Sequence, residues 1–151
     1  MKHVLLILLI ALTCMPAFSA EPPPPEELTQ MTGKFFDLLK KDKIEQAYDE
    51  LLKGSKIKAR GEDVAQLKTQ TREALTSFGP VLGFELLEYK RKGFSLMQLI
   101  YFSWQDERPL RWRFTFYRPK DKWRLVNIQL DDQAIQFWDQ SSPQPADDSQ
   151  R

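Results

Sequence analysis

The 151-residue chain has 22 lysine and arginine residues against 21 aspartate and glutamate residues, and its only histidine and cysteine are His3 and Cys14. This charge balance argues against a general nucleic-acid binder and against tight electrostatic binding to anionic lipid. If residues 1–19 are removed, neither imidazole nor thiol remains, which excludes histidine triads, cysteine nucleophiles, zinc sites of Cys and His, haem ligation and disulfides.

Residues 1–19 are predicted to be a secretory signal peptide. Lys2 and His3 give it a positive start, residues 4–12 are an unbroken apolar run, and Pro16 follows. Such a run suits the core of a signal peptide and is well short of the roughly 20 residues that span a bilayer. Because no later segment is long and apolar enough to cross a membrane, the cleaved chain is predicted to be periplasmic or secreted, in a bacterium.

The cleavage site is predicted after Ser19, because Ala17 and Ser19 place small residues where signal peptidase prefers them, and cleavage after Ala20 is the second choice. A lipoprotein attached through Cys14 and an uncleaved anchor are the alternatives. The leader contains one of the 22 basic residues, Lys2, and none of the acidic ones. Cleavage therefore leaves 21 of each and a formal net charge of zero.

The rest of the chain is predicted to be one domain between two irregular segments. Residues 20–26 form a proline-rich spacer, residues 27–138 form the domain, and residues 139–151 form a polar tail that is predicted to be disordered. A first helix is predicted over 27–41. Its apolar face consists of Leu28, Met31, Phe35, Leu38 and Leu39.

Two more helices are predicted from capping residues and helical spacing. The second begins with Asp42 as N-cap, with Glu45 completing a capping box, and it ends at Gly54. The third covers residues 62–78 and stops at the Gly-Pro pair that follows. A basic loop lies between these helices, and its charges are interpreted as solvated: Lys56, Lys58 and Arg60.

Alternating hydrophobicity then predicts four strands, over residues 82–91, 95–105, 110–118 and 123–130. In the third strand, Leu110, Trp112, Phe114 and Phe116 alternate with Arg111, Arg113, Thr115 and Tyr117. Short connections predict an antiparallel meander. A short last helix is predicted to start near Asp132 and to carry Ile135 and Trp138. The fold class is therefore α+β, with three helices packed on one face of a four-stranded antiparallel sheet.

Two stretches of the chain resemble the nuclear transport factor 2-like superfamily. Residues 35–48, FFDLLKKDKIEQAY, resemble its opening helices, and residues 114–117, FTFY, with 123–128, WRLVNI, resemble its aromatic strands. The resemblance covers about residues 27–138 and implies a strongly curved sheet that wraps with the helices into a cone around a pocket. Members include ketosteroid isomerases, scytalone dehydratases, polyketide cyclases and exported bacterial proteins of unknown function, so the motifs imply a fold and not an activity.

The candidate ligand-binding residues are Tyr48, Tyr89, Tyr101, Arg111, Arg113 and Tyr117. Arg and Tyr on one side of the third strand suit recognition of a carboxylate, a phosphate or an anionic protein surface. A further hypothesis places Tyr89, Arg91 and Tyr101 on that same side. The alternative is that these arginines pair with nearby acids such as Glu85 or Glu88.

No catalytic residue, metal ligand or cofactor is assigned. Glu85 and Glu88 are predicted to lie on opposite faces of one strand, and Asp131-Asp132 is interpreted as a helix N-cap with a solvated neighbour rather than as a general base. The acid-rich stretches also lack the spaced oxygen ligands of a calcium loop.

The sequence predicts a noncatalytic binding or interaction domain whose partner is an unknown small molecule or an anionic protein surface. A homodimer formed through the sheet is also predicted from the family resemblance. The alternative is a small-molecule enzyme, an isomerase, dehydratase or hydrolase, that uses Tyr with Asp or Glu in the cone pocket.

Overall fold

The computed structural model describes residues 22–133, apart from the side chains of residues 58 and 59. Three helices, α1 (Glu26–Leu39), α2 (Ile44–Leu51) and α3 (Gly61–Phe78), come first, with a 3₁₀ turn (Lys56–Ala59) before α3. Four strands follow: β1 (Gly83–Lys92), β2 (Leu96–Trp104), β3 (Leu110–Tyr117) and β4 (Arg124–Asp131). They pair antiparallel in the order β1-β2-β3-β4, as an open sheet with β1 and β4 at its edges. The predicted α+β class and meander are confirmed.

The junction of α1 and α2 differs from the prediction. Asp42 has a φ of 56°, in the left-handed region, and does not cap α2. Its N–H donates to the Leu39 carbonyl (2.9 Å) and the Lys43 N–H donates to the Leu38 carbonyl (2.9 Å). These two bonds form the Schellman motif that ends α1. The predicted capping box is therefore wrong: aspartate tolerates the left-handed conformation, and α2 begins at Ile44.

Glycine ends the third helix as predicted. Gly79 has a φ of 96°, and its N–H donates to the Leu75 carbonyl (3.0 Å). A Cβ at this position would lie 2.9 Å from Oδ2 of Asp106, so only glycine fits both the backbone conformation and the space. Gly54 is likewise left-handed, with a φ of 73°, in the turn after α2.

The helices pack on one face of the sheet, which we call the helix face. It carries Leu110, Trp112, Phe114 and Phe116 of β3, and their β2 partners Ser103, Tyr101, Leu99 and Met97. From α1, the Phe35 ring lies edge-on to Trp112 at 5.4 Å between centroids, and Phe36 stacks on Phe84 at 4.6 Å. These rings fill the space between α1 and the sheet with the chain's own side chains.

Helices α2 and α3 are joined by polar contacts above this core. The hydroxyls of Tyr48 and Thr71 share a hydrogen bond of 2.7 Å. At the surface, Glu45 pairs with Lys68 (2.7 Å) and with Arg72 (2.9 Å). The inner side of α3 packs half-buried against the core through Val64, Leu67, Ala74, Leu75 and Phe78.

The described helices were compared with the length and hydropathy that a membrane span requires. Within residues 22–133, no helix has the length and hydropathy to cross a bilayer. The predicted signal peptide, the predicted last helix beyond Gln133 and the predicted tail lie outside the described residues.

Candidate functional site

Two of the candidate tyrosines have hydroxyls that join secondary-structure elements. Tyr48 is fully buried and is bonded to Thr71, and the Tyr101 hydroxyl lies 2.7 Å from the Thr32 hydroxyl of α1. Burial raises the pKa of both phenols above their ordinary value. Both phenols are therefore neutral hydrogen-bonding groups. Their burial and their bonds to threonines identify them as part of the packed core.

The strand register divides the other candidates between two faces. Tyr89, Arg91 and Tyr101 lie on the helix face, because their cross-strand partners are Leu99, Met97 and Trp112 respectively. Arg111, Arg113 and Tyr117 lie on the opposite face, which we call the outer face. The hypothesis that all of these side chains share one side of the sheet is therefore wrong, because side chains directly opposite one another in a sheet share a face.

A β-bulge corrects a second prediction about β1. The pairing skips Leu87, so Glu85 lies opposite Phe102 and Glu88 lies opposite Ile100, both on the outer face. The prediction that these two glutamates lie on opposite faces assumed a regular alternation. One extra residue in a strand reverses that alternation for everything that follows it.

Arg111 and Arg113 share one carboxylate on the outer face. Arg111 donates from Nε and Nη2 to the two oxygens of Asp131 (2.9 and 3.0 Å), and Arg113 donates from Nη2 to Oδ2 (2.9 Å). Arg111 is only 8% exposed. The arginines thus pair with an acid, but the partner is Asp131 on β4 rather than Glu85 or Glu88. Because its carboxylate is held by two guanidinium groups, Asp131 is a structural anion.

A different cluster of cations surrounds a cavity of about 360 Å³ between the 3₁₀ turn and the start of β4. We call it the basic cavity. It is lined by Lys56, Ile57, Arg60, Tyr117, Arg124 and Val126, among others, and none of the described residues that line it is acidic. Its volume lies at the lower end of the roughly 300–1,000 Å³ typical of small-molecule sites.

Ser55 fixes the 3₁₀ turn against β4. Its hydroxyl accepts from the Ile57 N–H (3.1 Å) and donates to the Leu125 carbonyl (2.5 Å). Ile57 itself is buried in the core. The backbone that carries Lys56 and Arg60 is therefore anchored at two points beside the strand that carries Arg124.

The cations of the basic cavity lack strong internal partners. In the part of the chain that the structure describes, neither Lys56 nor Arg124 makes an ion pair, and Arg60 Nη1 comes only within 3.8 Å of Asp63. That last pair is highly exposed, and such pairs contribute about 0–1 kcal/mol. Lys56 and Arg124 therefore bring positive charge to the cavity that no described acid pairs with, and Arg60 is paired only weakly.

Apolar surface lies beside these charges. Tyr117 is 42% exposed and Val126 is 43% exposed, and both line the basic cavity. Val126 is the extra residue of a bulge, because Thr115 pairs with Asn127 while Phe116 pairs with Leu125. An anion that carries an apolar group would fit this combination of cations and exposed apolar side chains.

Only Tyr117 of the six candidate residues lines this cavity. Lys56 and Arg60 were visible in the sequence as a basic loop, and the structure adds that they line a cavity together with Arg124. Neither Arg124 nor Val126 could be singled out, because a bulge in β4 leaves no mark on the composition of the strand.

Metal ligation is not suggested by the described residues. Among residues 22–133, no three Asp, Glu, His or Cys side chains converge as a metal site would require.

Comparison of the chain with protein-family models, with curated proteins and with solved structures finds no match.

Proposed function

We propose that this chain is an exported, noncatalytic domain that binds an anionic ligand in the basic cavity. The observation that carries the proposal is the convergence of Lys56, Arg60 and Arg124 on one cavity whose described lining contains no acid. A unit charge about 4 Å from one such cation gains on the order of 4 kcal/mol near a protein surface, before the cost of desolvation. Three cations can therefore hold a carboxylate or a phosphate firmly.

The ligand that best fits this cavity is an organic anion rather than a bare inorganic one. The exposed Tyr117 and Val126 side chains offer apolar contact beside the cations, and covering them removes apolar surface from water. A phenyl or alkyl group attached to the anion would take that place.

A binding role is favoured over the enzyme alternative by the contacts of the tyrosines. The Tyr48 and Tyr101 hydroxyls are bonded to threonines, and the best-placed acid, Asp131, is held by two arginines. General acid–base catalysis needs an acid or base in reach of the substrate. Export is supported by the signal-peptide pattern of residues 1–19.

Calorimetric titration with phenyl phosphate tests the proposal. Arg124→Gln should weaken binding about tenfold, the loss expected when one charge-assisted contact is removed. Arg72→Gln is the matched control, since it removes the same charge from an arginine that is already paired with Glu45. Inorganic phosphate should bind more weakly than phenyl phosphate, because it makes no apolar contact. Equal affinities for wild type and Arg124→Gln would contradict the proposed site.

Self-association through the sheet remains a separate proposal. The outer face carries charges of both signs, with Glu85 and Glu88 on β1 and Arg113 on β3. A face that is complementary to itself suits an isologous dimer. Light scattering at high protein concentration tests this, and a strict monomer would contradict it.

A further inference from the structure

The basic cavity is one end of a longer groove between α3 and β4. It shares Ile57, Arg60 and Val126 with a second cavity of about 210 Å³. That cavity in turn shares Gln70 with a third, of about 280 Å³, which ends at Asp131 and Asp132. Residues of β4 line all three in chain order, so the groove follows the strand from its beginning to its end.

The wall formed by β4 is the edge of the sheet. β4 pairs with β3 on one side only, so its outer side presents backbone N–H and C=O groups to the groove, apart from the Leu125 carbonyl, which accepts a hydrogen bond from Ser55. Extended peptides bind such edges as an added strand. β4 has 8 residues, a length of about 27 Å at roughly 3.4 Å per residue, so the groove matches a peptide of similar length.

The floor of the groove suits alternating side chains. Leu67 and Ile128 line its middle, and Phe78 and Leu130 line its far end. All four pack on the hydrophobic core, so they are held in place from below. Apolar pockets at intervals along a strand edge are what an added strand uses for side-chain recognition.

The charge along the groove changes sign from one end to the other. The cations Lys56, Arg60 and Arg124 lie at the beginning of β4, whereas Glu73 and Asp132 line the end. Within residues 22–133, Glu73 makes no ion pair, and Asp132 makes only an exposed one with Arg108. Asp63 lines the middle of the groove, 3.8 Å from Arg60, and Asp131 is occupied by its arginines, so Glu73 and Asp132 supply the negative charge at the far end.

We propose that the groove binds an extended peptide segment of another protein, antiparallel to β4. This inference rests on the proposed function, since the anion in the basic cavity is the peptide's acidic carboxy-terminal end. A basic residue near the amino-terminal end of the segment lies beside Glu73 and Asp132. The antiparallel direction follows because the basic cavity lies at the amino-terminal end of β4, and antiparallel pairing is also slightly the more stable.

Two synthetic octapeptides of identical composition test the inference on the full chain. One begins with lysine, alternates valine and serine, and ends with glutamate; the other exchanges lysine and glutamate, and both have a free carboxy terminus. The first should bind about tenfold more tightly, because only it places both charges opposite complementary groups. Its addition should shift amide resonances along the whole of β4 and the facing side of α3.

Glu73→Gln separates this inference from the proposed function. The substitution should weaken the first octapeptide about threefold and leave phenyl phosphate binding unchanged, because Glu73 lies at the far end of the groove. Ser77→Ala, at an uncharged residue on the same cavity, is the matched control and should change neither affinity.

Three results would overturn the inference. Equal affinity for the two octapeptides would remove the charge argument. Resonance shifts confined to the basic cavity would mean that the peptide binds only as a small anion, which leaves the proposed function intact. Tighter binding of a synthetic copy of residues 139–151 than of the first octapeptide would assign the groove to the chain's own tail.

Discussion

The α2–α3 surface and the basic cavity both gather cations, but they treat the charge differently. Between α2 and α3, Lys68 lies 2.7 Å from Glu45 and 3.4 Å from Asp49, beside a cavity of about 440 Å³. The hydrogen bond with Lys68 holds the pKa of Glu45 below its ordinary value, and the same bond raises the pKa of Lys68. The basic cavity is of similar size, and its one ion pair among the described residues is the long, exposed contact of Arg60 with Asp63.

This difference teaches that a charged cavity indicates a ligand only when its charges are not satisfied by the protein. On α2 and α3, acids and bases face each other across two packed helices, so the surface is complete without a ligand. At the basic cavity, a 3₁₀ turn and the first residue of a strand bring Lys56, Arg60 and Arg124 together with no acid in the described lining. A solvated cation without an acidic partner destabilises the fold little, and it can pair with an anionic ligand.

The largest effect is expected where Asp131 pairs with Arg111 and Arg113, because these charges are both paired and partly buried. Asp131→Ala should lower the free energy of unfolding by about 3 kcal/mol, because it leaves the buried Arg111 without its carboxylate. Asp132→Ala, which removes the acid of the exposed pair with Arg108, is the control and should cost about 0.5 kcal/mol or less. Urea denaturation measures both, and equal losses would mean that burial of the Arg111 pair does not matter.

Ser55→Ala should lower the free energy of unfolding by about 2 kcal/mol, because the Ile57 N–H and the buried Leu125 carbonyl each lose their partner. It should also weaken phenyl phosphate binding, since the turn that carries Lys56 is no longer tied to β4. A variant that unfolds more easily yet binds with unchanged affinity would show that this anchor does not position the site.

Tyr48→Phe should cost about 1 kcal/mol at neutral pH, through loss of the hydrogen bond with Thr71. The buried phenol has a pKa above its unfolded value of about 10, so above that pH the unfolded chain loses a proton that the folded chain keeps. The stability of the wild type should therefore fall as pH rises above about 10, by up to roughly 1.4 kcal/mol per pH unit for this group.

Denaturation between pH 9 and 11 compares the two proteins (a range set by the unfolded pKa of about 10). Tyr48→Phe should show a shallower alkaline loss than the wild type, with a residual slope to which Tyr101 contributes, because burial raises its pKa also. Identical slopes in the two proteins would contradict the assignment of the alkaline loss to Tyr48.

The smallest effect is expected on the α2–α3 surface. Arg72→Gln removes one of the two cations bonded to an exposed carboxylate, and such exposed pairs contribute about 0–1 kcal/mol. Neither stability nor phenyl phosphate binding should change measurably. A marked loss of phenyl phosphate binding would show that this surface, too, holds the ligand.

The order of elements and the core could be predicted because local patterns determine them. The alternation in β3, from Leu110 to Tyr117, is complete in the sequence, and all four apolar members are buried. Gly79 stops α3 for a reason that is also local. The prediction for Asp42 is wrong because aspartate suits both an N-cap and a left-handed helix end, and only the surrounding chain decides between them.

The candidate site could be predicted only in part, because it depends on contacts between distant residues. Lys56 and Arg124 line the same cavity although α3 and three strands separate them in the sequence. The bulges at Leu87 and Val126 decide which side chains share a face, and neither is marked by a glycine or a proline. Residue types near the site were therefore recognisable, whereas the set that lines the cavity was not.

Mapping of backbone amide resonances during titration with phenyl phosphate tests the central claim most directly. If the unneutralised cations form the site, shifts should concentrate in the 3₁₀ turn, at Tyr117 and at residues 124–127, and should be absent from the facing surfaces of α2 and α3 around Glu45. Shifts at the α2–α3 surface, or shifts at the basic cavity that Arg124→Gln leaves unchanged, would contradict the account.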